Sequence, residues 1–174
     1  MMGFLQRLAF RIVQALVLGT GMATLAAGAE GMESDRPLGV IGRSIEDGFP
    51  VIYKFVNQLP GEEIRTRLPW VTVVSWKYDR DARNGMPPEE INKQMLDLED
   101  ALDGLAGAGL CRHAYSTTGN GRKELVYYIS DRDEFMNALN TALEHHPRYP
   151  LEIDFYNDPE WDDFRNLLSK FKKD

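Results

Sequence analysis

Between Trp70 and Tyr156 the spacing of apolar side chains changes period several times, and these changes restrict the fold more than any other feature of the chain. The run from Trp70 to Tyr78 (WVTVVSWKY) is dense in β-branched and aromatic residues, which suit a pleated surface and predict a strand. From Pro88 to Leu105 the period lengthens. Ile91, Met95, Leu98, Leu102 and Leu105 step by fours and threes, as the buried stripe of a helix does. Leu110–Ser116 and Lys123–Ile129 read as two strands, and Asn120-Gly121 between them supplies the left-handed backbone of a tight hairpin turn. Asp131, with Glu134 three residues later, marks the start of a second helix, whose stripe is Phe135, Leu139, Ala142 and Leu143. In a last strand Leu151, Ile153 and Phe155 alternate with Glu152, Asp154 and Tyr156.

The predicted order is therefore β-α-β-β-α-β, which identifies the fold class as α+β, a ferredoxin-like sandwich. Two additions flank it. Val40–Ile45, the turn Asp47-Gly48 and Val51–Val56 form an N-terminal β-hairpin, which must extend a sheet edge or cover a face. An extra C-terminal helix follows Asp158, an expected N-cap with Pro159 at the first helical position, and carries Trp161, Phe164, Leu168 and Phe171 as its stripe. The acidic outer face of the last strand predicts a sheet covered on one side only, with Val71 and Val73 turned to the two helices. Residues 39–174 then form a single domain.

The first 29 residues have a different grammar. Arg7 and Arg11 precede an uncharged run from Ile12 to Ala29, which closes on Ala27-Gly28-Ala29 before Glu30. A basic start, an apolar middle and a small-x-small end are the parts of a secretory signal peptide. An uncleaved membrane anchor and a cytosolic amphipathic helix are the alternatives. Residues 30–38 read as a flexible leader, and the expected location is periplasmic or secreted, or the inner membrane if residues 1–29 stay attached. Cleavage would take the formal charge from −7 to −9 through loss of Arg7 and Arg11. An acidic protein repels phosphate backbones, so nucleic acid is not an expected partner. Cys111 is the single cysteine, which excludes an intramolecular disulfide and a cysteine zinc cluster.

Several segments together resemble a family of uncharacterised bacterial proteins, domain-of-unknown-function family 695. They are Asp47–Tyr53 (DGFPVIY), Trp76-Lys77-Tyr78, Asn84–Pro87 (NGMP), Leu98-Glu99-Asp100, Gly121–Tyr128 (GRKELVYY), Tyr149–Ile153 (YPLEI) and Asn157–Trp161 (NDPEW). The resemblance covers most of Gly39 to Phe171. It implies no activity and no cofactor. Through a distant similarity to ribonuclease regulators that inhibit by protein–protein contact, it implies a binding role.

Candidate functional residues each have a structural explanation beside the functional one. Cys111 and His113 share a strand face, yet i and i+2 positions stand about 7 Å apart, too far for a thiol–imidazole pair. Adjacent His145 and His146 point about 100° apart on a helix and suit its C-terminal dipole better than a shared metal ion. Asp79, Asp81, Glu89 and Glu90 lack the spacing of a calcium loop. The pattern also places Trp70, Trp76 and Tyr78 together on one strand face. If that face is open beside Glu152, Asp154 and Tyr156, the six residues form an acidic aromatic platform for a protein partner. If an element lies across it, they are a second core layer. The expectation is a non-enzymatic protein-binding module that acts through its sheet face or edge, with no metal and no cofactor. The alternative is a small hydrolase or metal-assisted enzyme that uses the sheet-face carboxylates and His113.

Overall fold

Six β-strands and four α-helices make up the computed structural model, which describes residues 39–172 apart from residue 108. The strands are β1 (Gly39–Glu46), β2 (Phe49–Val56), β3 (Trp70–Lys77), β4 (Cys111–Gly119), β5 (Arg122–Ile129) and β6 (Leu151–Asn157). The helices are α1 (Glu62–Arg67), α2 (Glu89–Gly107), α3 (Arg132–Ala142) and α4 (Asp162–Lys170). The expected segments 1–29 and 30–38 lie outside the described residues. Among the described residues no helix is long and apolar enough to cross a membrane.

The fold is α+β, with one antiparallel sheet in the order β1-β2-β4-β5-β3-β6. The N-terminal hairpin extends the β4 edge, since Val51–Phe55 pairs with Tyr115–Gly119. β5 lies at the centre and is buried on both faces, with Leu125, Val126, Tyr127, Tyr128 and Ile129 all within the core.

One core lies under α2 and α3. There Val74 and Trp76 of β3, with Leu125 and Tyr127 of β5, pack against Met95, Leu98, Leu102, Phe135 and Leu139. The centres of the helical stripes predicted from sequence are thus buried, with Ile91, Leu105 and Leu143 half-buried at their ends. Asp131 caps α3 by accepting from the backbone N–H groups of Asp133 and Glu134 at 2.8 and 2.9 Å.

The second core corrects the one-sided sheet expected from sequence. Val71 and Tyr128, with Tyr53 and Phe55, face the opposite side and pack against Trp161, Phe164 and Leu167 of the C-terminal segment. The faces are therefore reversed. Val71 and Val73 lie toward the C-terminal segment, while the face with Trp70 and Trp76 lies beneath α2 and α3. The acidic side chains of β6 misled because β6 is an edge strand: Glu152 and Asp154 stay exposed, although Tyr156 on the same face reaches Asp163 of α4 and the sheet centre is covered.

Trp161 organises this second core. It is fully buried, adopts a left-handed backbone (φ 60°), and stacks on Tyr128 with ring centroids 3.6 Å apart. Its indole N–H donates to the carbonyls of Leu68 and Arg65 at 3.1 and 3.3 Å. Asp158 accepts from the Tyr128 hydroxyl at 2.6 Å and from the backbone N–H groups of Asp162 and Asp163 at 2.9 and 3.0 Å. It caps α4 as expected, but across a turn, so the helix starts at Asp162 rather than at Pro159. The short helix α1 was not anticipated, since Ile64 is its sole apolar residue.

Because both faces carry a core, truncating either should unfold the domain alike. Trp161→Ala and Leu102→Ala are each expected to cost about 3–5 kcal/mol, read from urea midpoints at constant slope. A Trp161→Ala variant within about 1 kcal/mol of the parent would restore the one-sided sheet.

Candidate functional site

The six residues proposed as one platform divide between the two faces. In the β3–β6 register Trp76 lies opposite Leu151 and Val74 opposite Ile153, whereas Ser75 lies opposite Glu152, Val73 opposite Asp154 and Val71 opposite Tyr156. Directly paired residues share a face, so Trp70 and Trp76 are on the α2–α3 side and Glu152, Asp154 and Tyr156 on the α4 side. Trp76 is 3% exposed and packs on Tyr149 at 5.1 Å, while Trp70 lies under the guanidinium of Arg132 at 4.9 Å. Both indoles are core or core margin. Tyr156 bonds instead to Asp163, beside Tyr115, whose hydroxyl donates to the same carboxylate at 2.8 Å. Burial pushes the Asp163 carboxyl upward, and the neighbouring Asp158 adds to that shift.

The Cys111–His113 pair behaves as its spacing predicts. Cys111 is buried, and burial raises its thiol to about 11, which keeps it protonated and unreactive near neutrality. His113 leans on Tyr127, with ring centroids 5.0 Å apart, on the α2 side of the sheet. The carboxylates of β6 are on the other side, so the residues named for a hydrolase do not meet. His146 turns its Nδ1 to the Tyr149 hydroxyl at 3.0 Å, in the loop after α3.

Near His113, Lys123 is buried and holds Glu99 of α2 at 2.6 Å, with Lys54 at 3.8 Å on the other carboxylate oxygen. Burial resists ionisation of Glu99, but the combined pull of Lys123, Lys54 and His113 is larger and keeps its carboxyl below the ordinary value. This ion group fastens α2 to β5 and β2.

Two open features bear on binding. One is a cleft of about 330 Å³ at the end of the sheet, on the α4 side. It is walled by the β1–β2 turn, the end of β3 and the β4–β5 turn, and its lining includes Glu46, Tyr53, Lys77, Tyr78, Arg122 and Glu124. Left-handed Asp47, Asn84 and Asn120 form the tight turns around it. These turns are tied together: Tyr78 N–H donates to Gly121 O at 2.8 Å, Gly121 N–H to Gly85 O at 3.1 Å, and Asn120 Nδ2 to Asp47 at 3.0 Å. Gly119, at φ 148°, has no room for a side chain, because a Cβ there would strike the Pro50 carbonyl. Of the six residues named from sequence, Tyr78 lines this cleft, and Glu152 borders it through Lys77 at 2.7 Å. Sequence reasoning missed the rest. Turn glycines and Asx residues marked hairpins, but nothing in them showed that three turns meet at one end of the sheet.

The other open feature is β1. It is an edge strand, and on the α2 side neither helix reaches it. Ile41 and Ile45 are 53% and 61% exposed there, beside Arg43. On the opposite side Phe171 packs directly over Gly42, so that face of β1 is closed.

A family model described as a family of unknown function (DUF695) matches residues 43–169. No curated protein and no solved structure matches the chain. The segments named above as resembling that family include the turns and strand ends that enclose the cleft.

Proposed function

We propose, for a chain that belongs to the family of unknown function DUF695, that it is an exported, non-enzymatic domain that takes an extended segment of a partner protein along the free edge of β1. The observation that carries this reading is the exposure of Ile41 and Ile45 on an edge strand. An unpaired edge presents a row of backbone N–H and C=O groups, and natural sheets usually blunt it with charge, proline or a covering element. Here Arg43 is the single charge between two bare isoleucines. Strand addition supplies affinity through main-chain hydrogen bonds and specificity through alternate side chains. The acidic net charge of −7 favours a protein partner over nucleic acid.

The same reading takes β3–β6 with α2 and α3 as a ferredoxin-like unit. The neighbour order β4-β5-β3-β6, antiparallel throughout, supports it. In that frame the N-terminal hairpin is an added edge, which moves the free strand away from the helix-covered sheet.

Export rests on residues 1–29 alone, and mass spectrometry of the native protein tests it directly: the mature chain is expected to begin at Glu30. An intact soluble product that keeps Met1 in the cytosol would remove export from the account. For binding, a random peptide library displayed against the domain is expected to return extended sequences with alternating apolar residues. Covering each half-exposed isoleucine is worth about 1 kcal/mol, so Ile41→Lys with Ile45→Lys should weaken the selected peptides at least about tenfold. Asp154→Asn should leave them unchanged. Loss through Asp154→Asn and indifference to the isoleucines would transfer the site to β6.

A further inference from the structure

The backbone and the side chains of β1 turn the same residues outward. Asp47 and Gly48 both take left-handed backbone (φ 51° and 86°), as a two-residue hairpin turn requires. Such a turn is flanked by a pair that exchanges both of its backbone hydrogen bonds, here Glu46 and Phe49. Alternation from that pair directs the N–H and C=O groups of Ser44, Gly42 and Val40 toward β2, and those of Ile45, Arg43 and Ile41 toward the free edge. These last three also expose their side chains on the α2 side of the sheet.

Arg43 is the middle one, and its neighbours are apolar. Ile41 and Ile45 stand two residues away on the same strand face, and Ile52 of β2 lies directly opposite. Among the described residues no hydrogen bond or ion pair involves Arg43. Glu99, a carboxylate on that side of the sheet, is shared by Lys54 at 3.8 Å and Lys123 at 2.6 Å. The guanidinium is therefore bounded by three isoleucines and open only toward the edge.

An added strand sets one residue directly across from each outward residue of β1, on the same face, with Cα atoms about 5.5 Å apart. Opposite charges in such a pair attract, and like charges repel. The position across from Arg43 favours Asp or Glu, and the positions two residues to either side favour apolar groups that cover Ile41 and Ile45.

We infer that the partner segment is an apolar-x-acidic-x-apolar strand with its carboxylate on Arg43, an inference that rests on the edge-binding role proposed above. A second copy of β1 supplies no such segment. Its edge-directed residues are Gly39, Ile41, Arg43 and Ile45, so antiparallel self-pairing sets Arg43 against itself, an isoleucine or a glycine, and never against a carboxylate. One side chain thus disfavours the chain's own strand and selects an acidic one.

The test is an NMR titration of the full-length protein, following β1 amides, with three acetylated and amidated peptides: TVTETVT and the same sequence with Gln or Lys in place of its Glu. The Glu peptide is expected to bind about threefold more tightly than the Gln peptide and about tenfold more tightly than the Lys peptide, the scale of one cross-strand charge pair. In Arg43→Glu the order should reverse, with the Lys peptide the tightest. Equal binding of the three peptides, or an order that Arg43→Glu leaves unchanged, would overturn the acidic preference while edge binding stands. Absence of shifts at β1 with every peptide would overturn the preference and edge binding together.

Discussion

The stacking of Trp161 on Tyr128 is the contact on which the rest of the arrangement depends. β5 is the central strand, and its alternating side chains leave large apolar surface on both sides, Tyr127 toward α2 and α3 and Tyr128 away from them. A sheet with a bare aromatic face would be an exposed patch of the kind that drives association. Trp161 covers it, and its left-handed backbone turns the chain from the Asp158 cap into α4. The indole N–H satisfies the end of α1, and the Tyr128 hydroxyl satisfies Asp158, so each buried polar atom in the contact has a partner. Three segments far apart in sequence are thereby fixed to one another: the end of α1, β5 and the Asp158–Trp161 turn.

What α4 covers also decides what stays open. It crosses the row of Phe55, Tyr115 and Val126, and its C-terminal end is held to β1 by Lys170 on Glu46 and by Phe171 over Gly42. The next rows toward the turns stay uncovered, and there the polar cleft forms. On the other side α2 and α3 cover the four strands β3–β6, while the added hairpin extends beyond them. Both open features therefore follow from helices that are narrower than the six-stranded sheet, one on each face. They differ in chemistry. β1 offers apolar side chains and free backbone, whereas the cleft offers fixed charges.

Element types were largely legible in the sequence because each was encoded by a local period. The α2 stripe from Ile91 to Leu105, the Asn120-Gly121 turn and the Asp131 cap all signal themselves within a few residues. Facing was not. Val71 and Trp76 are both apolar, so β3 gives no polar face to mark the outside, and a strand buried on both sides cannot say which side carries which helix. The acidic residues of β6 supplied a polar face, but their exposure belongs to an edge position and not to the sheet as a whole. The cleft was illegible for a related reason. Glu46, Lys77 and Arg122 lie in separate turns and strand ends, and register alone brings them together. Tyr78 was named for its place on the aromatic strand and reached the cleft because β3 ends there.

Native-state hydrogen exchange of single amides tests the two-sided core and its bare edge in one measurement. The account predicts that β3 and β5, together with the amides of Asp162 and Asp163 at the α4 cap, exchange only through global unfolding. Alternate amides of β1, those not bonded to β2, should exchange nearly as fast as an unfolded chain. Protection of those β1 amides equal to that of β5, or α4 amides exchanging like a loop, would contradict it.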